Sequence, residues 1–174
     1  MYQADLFTPY IAHIEELTGK KYADQDAQMQ AAFHVLSDHI RSSTMIIADG
    51  GAPSNEGRGY VLRKIIRRAA LFAQKLSDKN IFPELSKTVV KELGDIYPAL
   101  KTNAETIYKI LESEISKFAA NLVRGQAMLE KYFVEHASTK KVSGEQAFKL
   151  YDTYGFPLEL LHVMAQEKVF TVED

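Results

Sequence analysis

The side chains best placed to do chemistry in this chain of 174 residues are cations. Between Gly57 and Ser77 stand six of them, Arg58, Arg63, Lys64, Arg67, Arg68 and Lys75, with no Asp or Glu among them. Arg63 and Arg67 are four apart, as are Lys64 and Arg68, so a helix would carry them as two adjacent basic rows. The chain as a whole has a formal charge of −2, so with those six cations set aside the rest carries −8. A basic stripe on an acidic body can hold a phosphate backbone in one orientation, because repulsion disfavours every other face. The competing reading is a solvated helix face.

Other chemistries find little support. The five histidines, His13, His34, His39, His136 and His162, include no pair spaced i, i+4 with a third ligand nearby. His34 and His39 are five apart and point to different helix faces, so no metal site is expected. The absence of cysteine excludes a disulfide framework, a thiolate zinc site and a cysteine nucleophile. Neither a phosphate-binding Gly-x-x-x-x-Gly-Lys loop nor a Gly-x-Ser-x-Gly elbow occurs. Gly57-x-Gly59 opens a helix, but no strand precedes it and the third glycine is missing, so a dinucleotide fold is not supported. Hydrophobic residues make up 46% and charged residues 25%, ordinary for a globular domain. No apolar run is long enough to span a bilayer and no secretory signal follows Met1, so no membrane partner is expected and a cytoplasmic location is.

The elements that must position the cations are helical throughout. A first helix is expected from Leu6 to about Thr18, with Asp5 as N-cap, Gly19 as its stop and Leu6, Tyr10, Ile14 and Leu17 facing inward. A second runs from about Asp26 to Ile47, with Ala32, Phe33, Leu36, Ile40, Ser43 and Ile47 on its buried side. After a loop from Gly50 to Gly59, the basic helix follows to Leu76, with Val61, Leu62, Ile65, Ile66, Ala69, Phe72 and Ala73 among its apolar residues. Pro83 opens a short fourth helix that ends at Gly94. From Pro98 to about Ala137 the pattern is one long helix or two nearly collinear ones, with Gly125 as the expected kink. Ser143-Gly-Glu-Gln146 has the form of a capping box, so a helix is expected from there to Tyr154, with Gly155 as its left-handed stop. Pro157 opens the last helix, with Leu158, Leu161, Met164 and Ala165 inside. No run sustains strand alternation. The expected fold is therefore all-α: an irregular array of six or seven helices around one long central helix, with subdomains at 1–80 and 81–174. On the residues alone, this is a helical binding domain with an anionic partner.

Two long stretches carry a resemblance. Pro53-Ser-Asn-Glu-Gly-Arg-Gly-Tyr-Val-Leu-Arg-Lys-Ile-Ile-Arg-Arg68, preceded by Asp38-His39-Ile-Arg and Ile46-Ile-Ala-Asp-Gly50, closely resembles the alanyl-tRNA synthetase family. So does Ala147-Phe-Lys-Leu-Tyr-Asp-Thr-Tyr-Gly-Phe-Pro157. The resemblance covers essentially the whole chain, in the right order and spacing. It implies the helical, tRNA-recognising middle domain that follows the class II catalytic core. In the family the motifs for ATP and alanine lie upstream, and the editing domain with its zinc ligands lies downstream. The chain, which ends at Thr-Val-Glu-Asp without a stop signal, would be an excised piece. It would need no cofactor of its own, although the full enzyme uses ATP and magnesium. It would be inactive alone, and would act with the catalytic and editing domains of the same protein in ligating alanine to tRNA.

The resemblance further implies that the partner is the acceptor stem of tRNA(Ala), read at a G·U wobble pair. In A-form RNA the minor groove is wide and shallow, so side chains can reach it. Guanine shows an amino donor there, and a pyrimidine shows its O2 acceptor. Asn can donate and ionised Asp only accepts, which suits the two edges. By resemblance the two readers are Asn55 and Asp152, and Arg58, Arg63, Lys64, Arg67 and Arg68 bind the backbone. Tyr60, Tyr151 and Tyr154 are candidate interface aromatics, although each could equally be a core residue with a wet hydroxyl. Asn55 by residue type could instead be an N-cap. Asp152, near a helix C-terminus, opposes the helix dipole, a cost that hints at a function. The alternative reading is a protein-interaction module whose basic helix docks on an acidic partner.

Overall fold

The computed structural model describes residues 6–173, which form eight α-helices, a short 3-10 turn at Tyr22–Asp24 and two two-residue strands. The chain divides into two compact units, Met1–Ile115 and Ser116–Asp174. The division lies within a long helix rather than near residue 80. Residues 82–93 pack on the first two helices and so belong with the first unit.

The first unit contains α1 (Thr8–Thr18), α2 (Ala27–Ala48), α3 (Gly57–Leu76), α4 (Phe82–Leu93), α5 (Pro98–Thr102) and the start of α6 (Ala104–Glu135). Asp5, the expected cap of α1, lies outside the described residues; the helix begins after Phe7 without a side-chain cap bond. Leu6, expected on the inner face, is half exposed. Asp26 does cap α2, accepting from the Met29 amide at 2.8 Å. α2 lies along α3, and its Phe33, Leu36 and Ile40 are buried, as are Leu62, Ile66, Ala69 and Ala73 of α3. Burying each large apolar side chain of this kind contributes about 1.5–3 kcal/mol before conformational entropy is set against it.

The expected helix from Pro98 breaks at Asn103, not at Gly125. The Asn103 side-chain amide donates to the Ala48 carbonyl at 3.0 Å, at the end of α2 where carbonyls lack helical partners. α6 continues through Gly125 unbroken. That glycine serves a close approach instead: a Cβ there would lie 2.6 Å from the Phe156 ring.

The second unit contains the rest of α6, β1 (Lys141–Val142), α7 (Gly144–Tyr154), α8 (Leu158–Glu167) and β2 (Thr171–Val172). Its core includes Phe118, Leu122, Leu129, Phe133, Leu150, Phe156 and Leu161. Ser143 caps α7 by accepting from the Gln146 amide, and Gly155 ends it at φ +61°, as the sequence pattern predicts. Leu158, expected inside, is exposed. The strands pair in parallel, Lys141 with Thr171 and Val142 with Val172, and are too short to show any alternation in sequence. The fold is all-α in class, with eight helices among the described residues rather than six or seven.

Candidate nucleic-acid interface

α3 carries the basic residues, and its two rows face different surroundings. Arg63 and Arg67 turn inward. Both reach Glu114 of α6, with Nε to Oε1 distances of 3.1 Å and 2.9 Å. The Arg67 contact is an aligned hydrogen bond, whereas Arg63 Nε meets the oxygen off-axis. Glu114 is only 5% exposed and the two arginine side chains 19% and 18%. Arg63 and Arg67 are thus held as partners of a buried carboxylate, and in this arrangement they are not presented to a phosphate as the spacing rule predicted. The reason is a partner 47 positions from Arg67, which helical periodicity cannot reveal.

The other row faces solvent. Lys64 and Arg68 are exposed, as are Arg58 and Lys75. The Lys64 ammonium lies 4.7 Å from the centre of the half-buried Tyr60 ring, and the Arg68 guanidinium 5.8 Å from that of Phe72. Val61, expected on the apolar side, is 56% exposed and sits within this outer stripe. Counting in steps of three and four, Arg58, Val61, Lys64 and Arg68 follow one another along a single face.

Asn55 is exposed in the loop before α3. It is not the N-cap; that position is Glu56, which makes no side-chain cap bond. Instead the Asn55 side-chain oxygen accepts from Arg63 Nη1. A guanidinium can only donate, so it turns the amide oxygen of Asn55 toward itself and leaves the NH2 group directed elsewhere. Glu114, Arg63 and Asn55 therefore form a chain in which a buried carboxylate orients an arginine and the arginine orients an exposed amide. The loop itself is tightly seated. A Cβ at Gly59 would lie 2.2 Å from Ser54 Oγ and 2.5 Å from the Ala52 carbonyl, so only glycine lets the loop pack against the helix.

In the second unit, Asp152 is exposed on the last turn of α7, and Tyr151 and Tyr154 are half-buried. Asn55 and Asp152 lie in different units. One neighbour of Asp152 escaped the sequence reading. Phe148, one turn earlier on the same helix, is 65% exposed; its i, i+4 spacing to Asp152 was the available signal. Among the described residues no His, Asp and Glu side chains converge as a metal-binding group.

The family model described as tRNA synthetases class II (A) matches residues 1–174. The chain belongs to this family. An alanine–tRNA ligase of Streptococcus sanguinis is 45% identical over 99% of the chain, which covers 20% of that protein. The alanine–tRNA ligase of Schizosaccharomyces pombe is 40% identical over 99% of the chain and 19% of its own length. That of Bdellovibrio bacteriovorus is 40% identical with the same coverage of the chain. The chain thus spans about a fifth of the length of the curated relatives it matches. The family match runs from end to end within the class II synthetase domain and sets off no separate recognition segment. This corrects the expectation from the motifs: the match places the chain in the class II synthetase domain and not in a separate middle recognition domain. Among the described residues no helix is long and apolar enough to cross a membrane.

Proposed function

We propose that this part of an alanyl-tRNA synthetase recognises the acceptor stem of tRNA(Ala) at a G·U wobble pair, for the ATP-dependent ligation of alanine that the whole protein performs. The observation that carries the reading is the oriented amide of Asn55. With its oxygen held by Arg63, the outward group is the donor that a pyrimidine O2 in the minor groove requires. Asp152, exposed on α7, supplies the acceptor for the guanine amino group. Arg58, Lys64 and Arg68 hold the phosphate backbone, and the tyrosines Tyr60, Tyr151 and Tyr154 stand along the same two helices. On this reading the groups that handle ATP and magnesium, and the zinc of an editing domain, would lie outside this chain. The chain alone should then be silent in ATP–pyrophosphate exchange.

The test is a titration of acceptor minihelices that differ only in G·U or G·C at the read pair. Asn55→Ala or Asp152→Ala should each cost about 1–3 kcal/mol of discrimination, more than they cost overall binding. Stability should change by less than about 0.5 kcal/mol, since both side chains are exposed. Equal weakening on both stems would refute base reading. Binding that ignores salt and favours acidic proteins would turn the assignment toward a protein-docking helix.

A further inference from the structure

Where α2 ends and α3 begins, the loop that carries Asn55 closes one side of a cavity of about 460 Å³. Ile46 and Val61, 39% and 56% exposed, form apolar walls, and Leu62 is buried beside them. Two charged side chains, Asp49 and Arg58, also line it, and among the described residues neither has an ion pair. The volume falls in the range of small-ligand sites, which combine mostly apolar walls with a few polar groups. The cavity opens at the start of the exposed row that runs from Arg58 through Val61 to Lys64 and Arg68. It is therefore continuous with the surface assigned above to the RNA backbone.

We propose that this cavity seats one ribose–phosphate unit of the RNA, next to the pair that Asn55 reads. The proposal rests on the reading given under Proposed function. Within a stem the bases are paired and stacked, so what a lateral cavity can receive is sugar and phosphate. Ile46 and Val61 take the C–H face of the ribose. Arg58 takes the phosphate, and Asp49 accepts from a ribose hydroxyl, an interaction that an ionised carboxylate suits because it only accepts. Seating one nucleotide here fixes the register of the stem. It brings one pair, and not its neighbour, against the Asn55 amide. Phosphate contacts generally position a nucleic acid while contacts to the bases specify it.

The experiment uses the chain itself and acceptor minihelices. Val61→Asp places a carboxylate where the phosphodiester strand would lie, and should lower affinity for G·U and G·C stems alike by about tenfold or more. Circular dichroism and melting should be unchanged, because Val61 is already largely in water. In parallel, single phosphates near the wobble pair are replaced by uncharged methylphosphonates. One position should cost the parent chain affinity and cost Arg58→Gln nothing further. If Val61→Asp binds as well as the parent, or no position couples to Arg58, the cavity does not seat the strand and the proposal is overturned. If instead the parent shows no preference for G·U, the reading on which the proposal rests fails, and the proposal falls with it.

Discussion

Arg63 and Lys64 are adjacent in sequence and alike in charge, yet α3 turns them to different tasks. Arg63, with Arg67, faces the carboxylate of Glu114 and is largely out of water. Lys64, with Arg68, faces solvent. One residue along a helix is a rotation of about 100°, enough to separate a row turned toward a buried carboxylate from a row turned toward solvent. A count of basic residues therefore overstates how many cations the helix turns toward solvent. Its outer row carries Arg58, Lys64, Arg68 and Lys75, while in its inner row Arg63 meets both Glu114 and the Asn55 side chain.

The largest effect that would test this contrast is at Glu114. Two arginines converge on one oxygen of a side chain that is 5% exposed. Removing one member of a buried ionic group leaves the others uncompensated, which is far costlier than the group's net worth against apolar packing. Glu114→Ala should therefore destabilise the chain by about 3 kcal/mol or more in urea or thermal unfolding. Lys64→Ala and Arg68→Ala should stay within about 0.5 kcal/mol. If Glu114→Ala melts with the parent, the inner row is not structural and the contrast collapses.

A smaller effect separates the rows by function. Lys64→Ala and Arg68→Ala should weaken G·U and G·C stems equally. Each should reduce the salt dependence of binding by about one unit or less per lost phosphate contact. Arg63→Ala should do something different. It releases the Asn55 amide, so discrimination between the two stems should fall by about 1 kcal/mol while the salt slope holds. Arg63→Lys should not restore it, because an ammonium lacks the fork that meets Glu114 and Asn55 together. A fall in salt slope for Arg63→Ala, equal to that for Lys64→Ala, would place both rows on the phosphates.

Much of this arrangement is legible in the sequence, and the part that is not has a common cause. Asp26, Ser143 and Gly155 act within a few residues of themselves, so their caps are visible as local patterns. The basic helix and its apolar face follow from a period of 3.6. The break at Asn103 is set by a carbonyl 55 residues away, and the inward turn of Arg67 by a carboxylate 47 residues away. Val61 shows the same limit: it obeys the apolar period, but nothing in the first unit covers it. The resemblance to the synthetase family pointed to Asn55, but not to the arginine that orients it.

The smallest effect concerns pH and reaches the outer row through His39. This α2 histidine is 18% exposed in its side chain, and Nδ1 lies 3.1 Å from Asp38. Burial lowers its pKa below the ordinary value, and Arg68 lowers it further, while Asp38 acts in the opposite sense. The folded state therefore holds the proton less tightly than the unfolded chain does. Stability from this group is fully present above the ordinary histidine pKa of about 6.5 and is lost as pH falls through the lower folded value. Burial also lowers His34, in the same sense, so the two add. Unfolding free energy should fall as pH drops from about 7.5 toward 5. His39→Gln should flatten part of that slope, and Arg68→Ala should flatten it slightly by removing the like charge. Arg63 is engaged with Glu114 and Asn55, so Arg63→Ala should leave the slope alone even while it alters stem discrimination. Equal changes in the slope from both arginine substitutions would mean that the two rows share one electrostatic environment, and the contrast between them would fail.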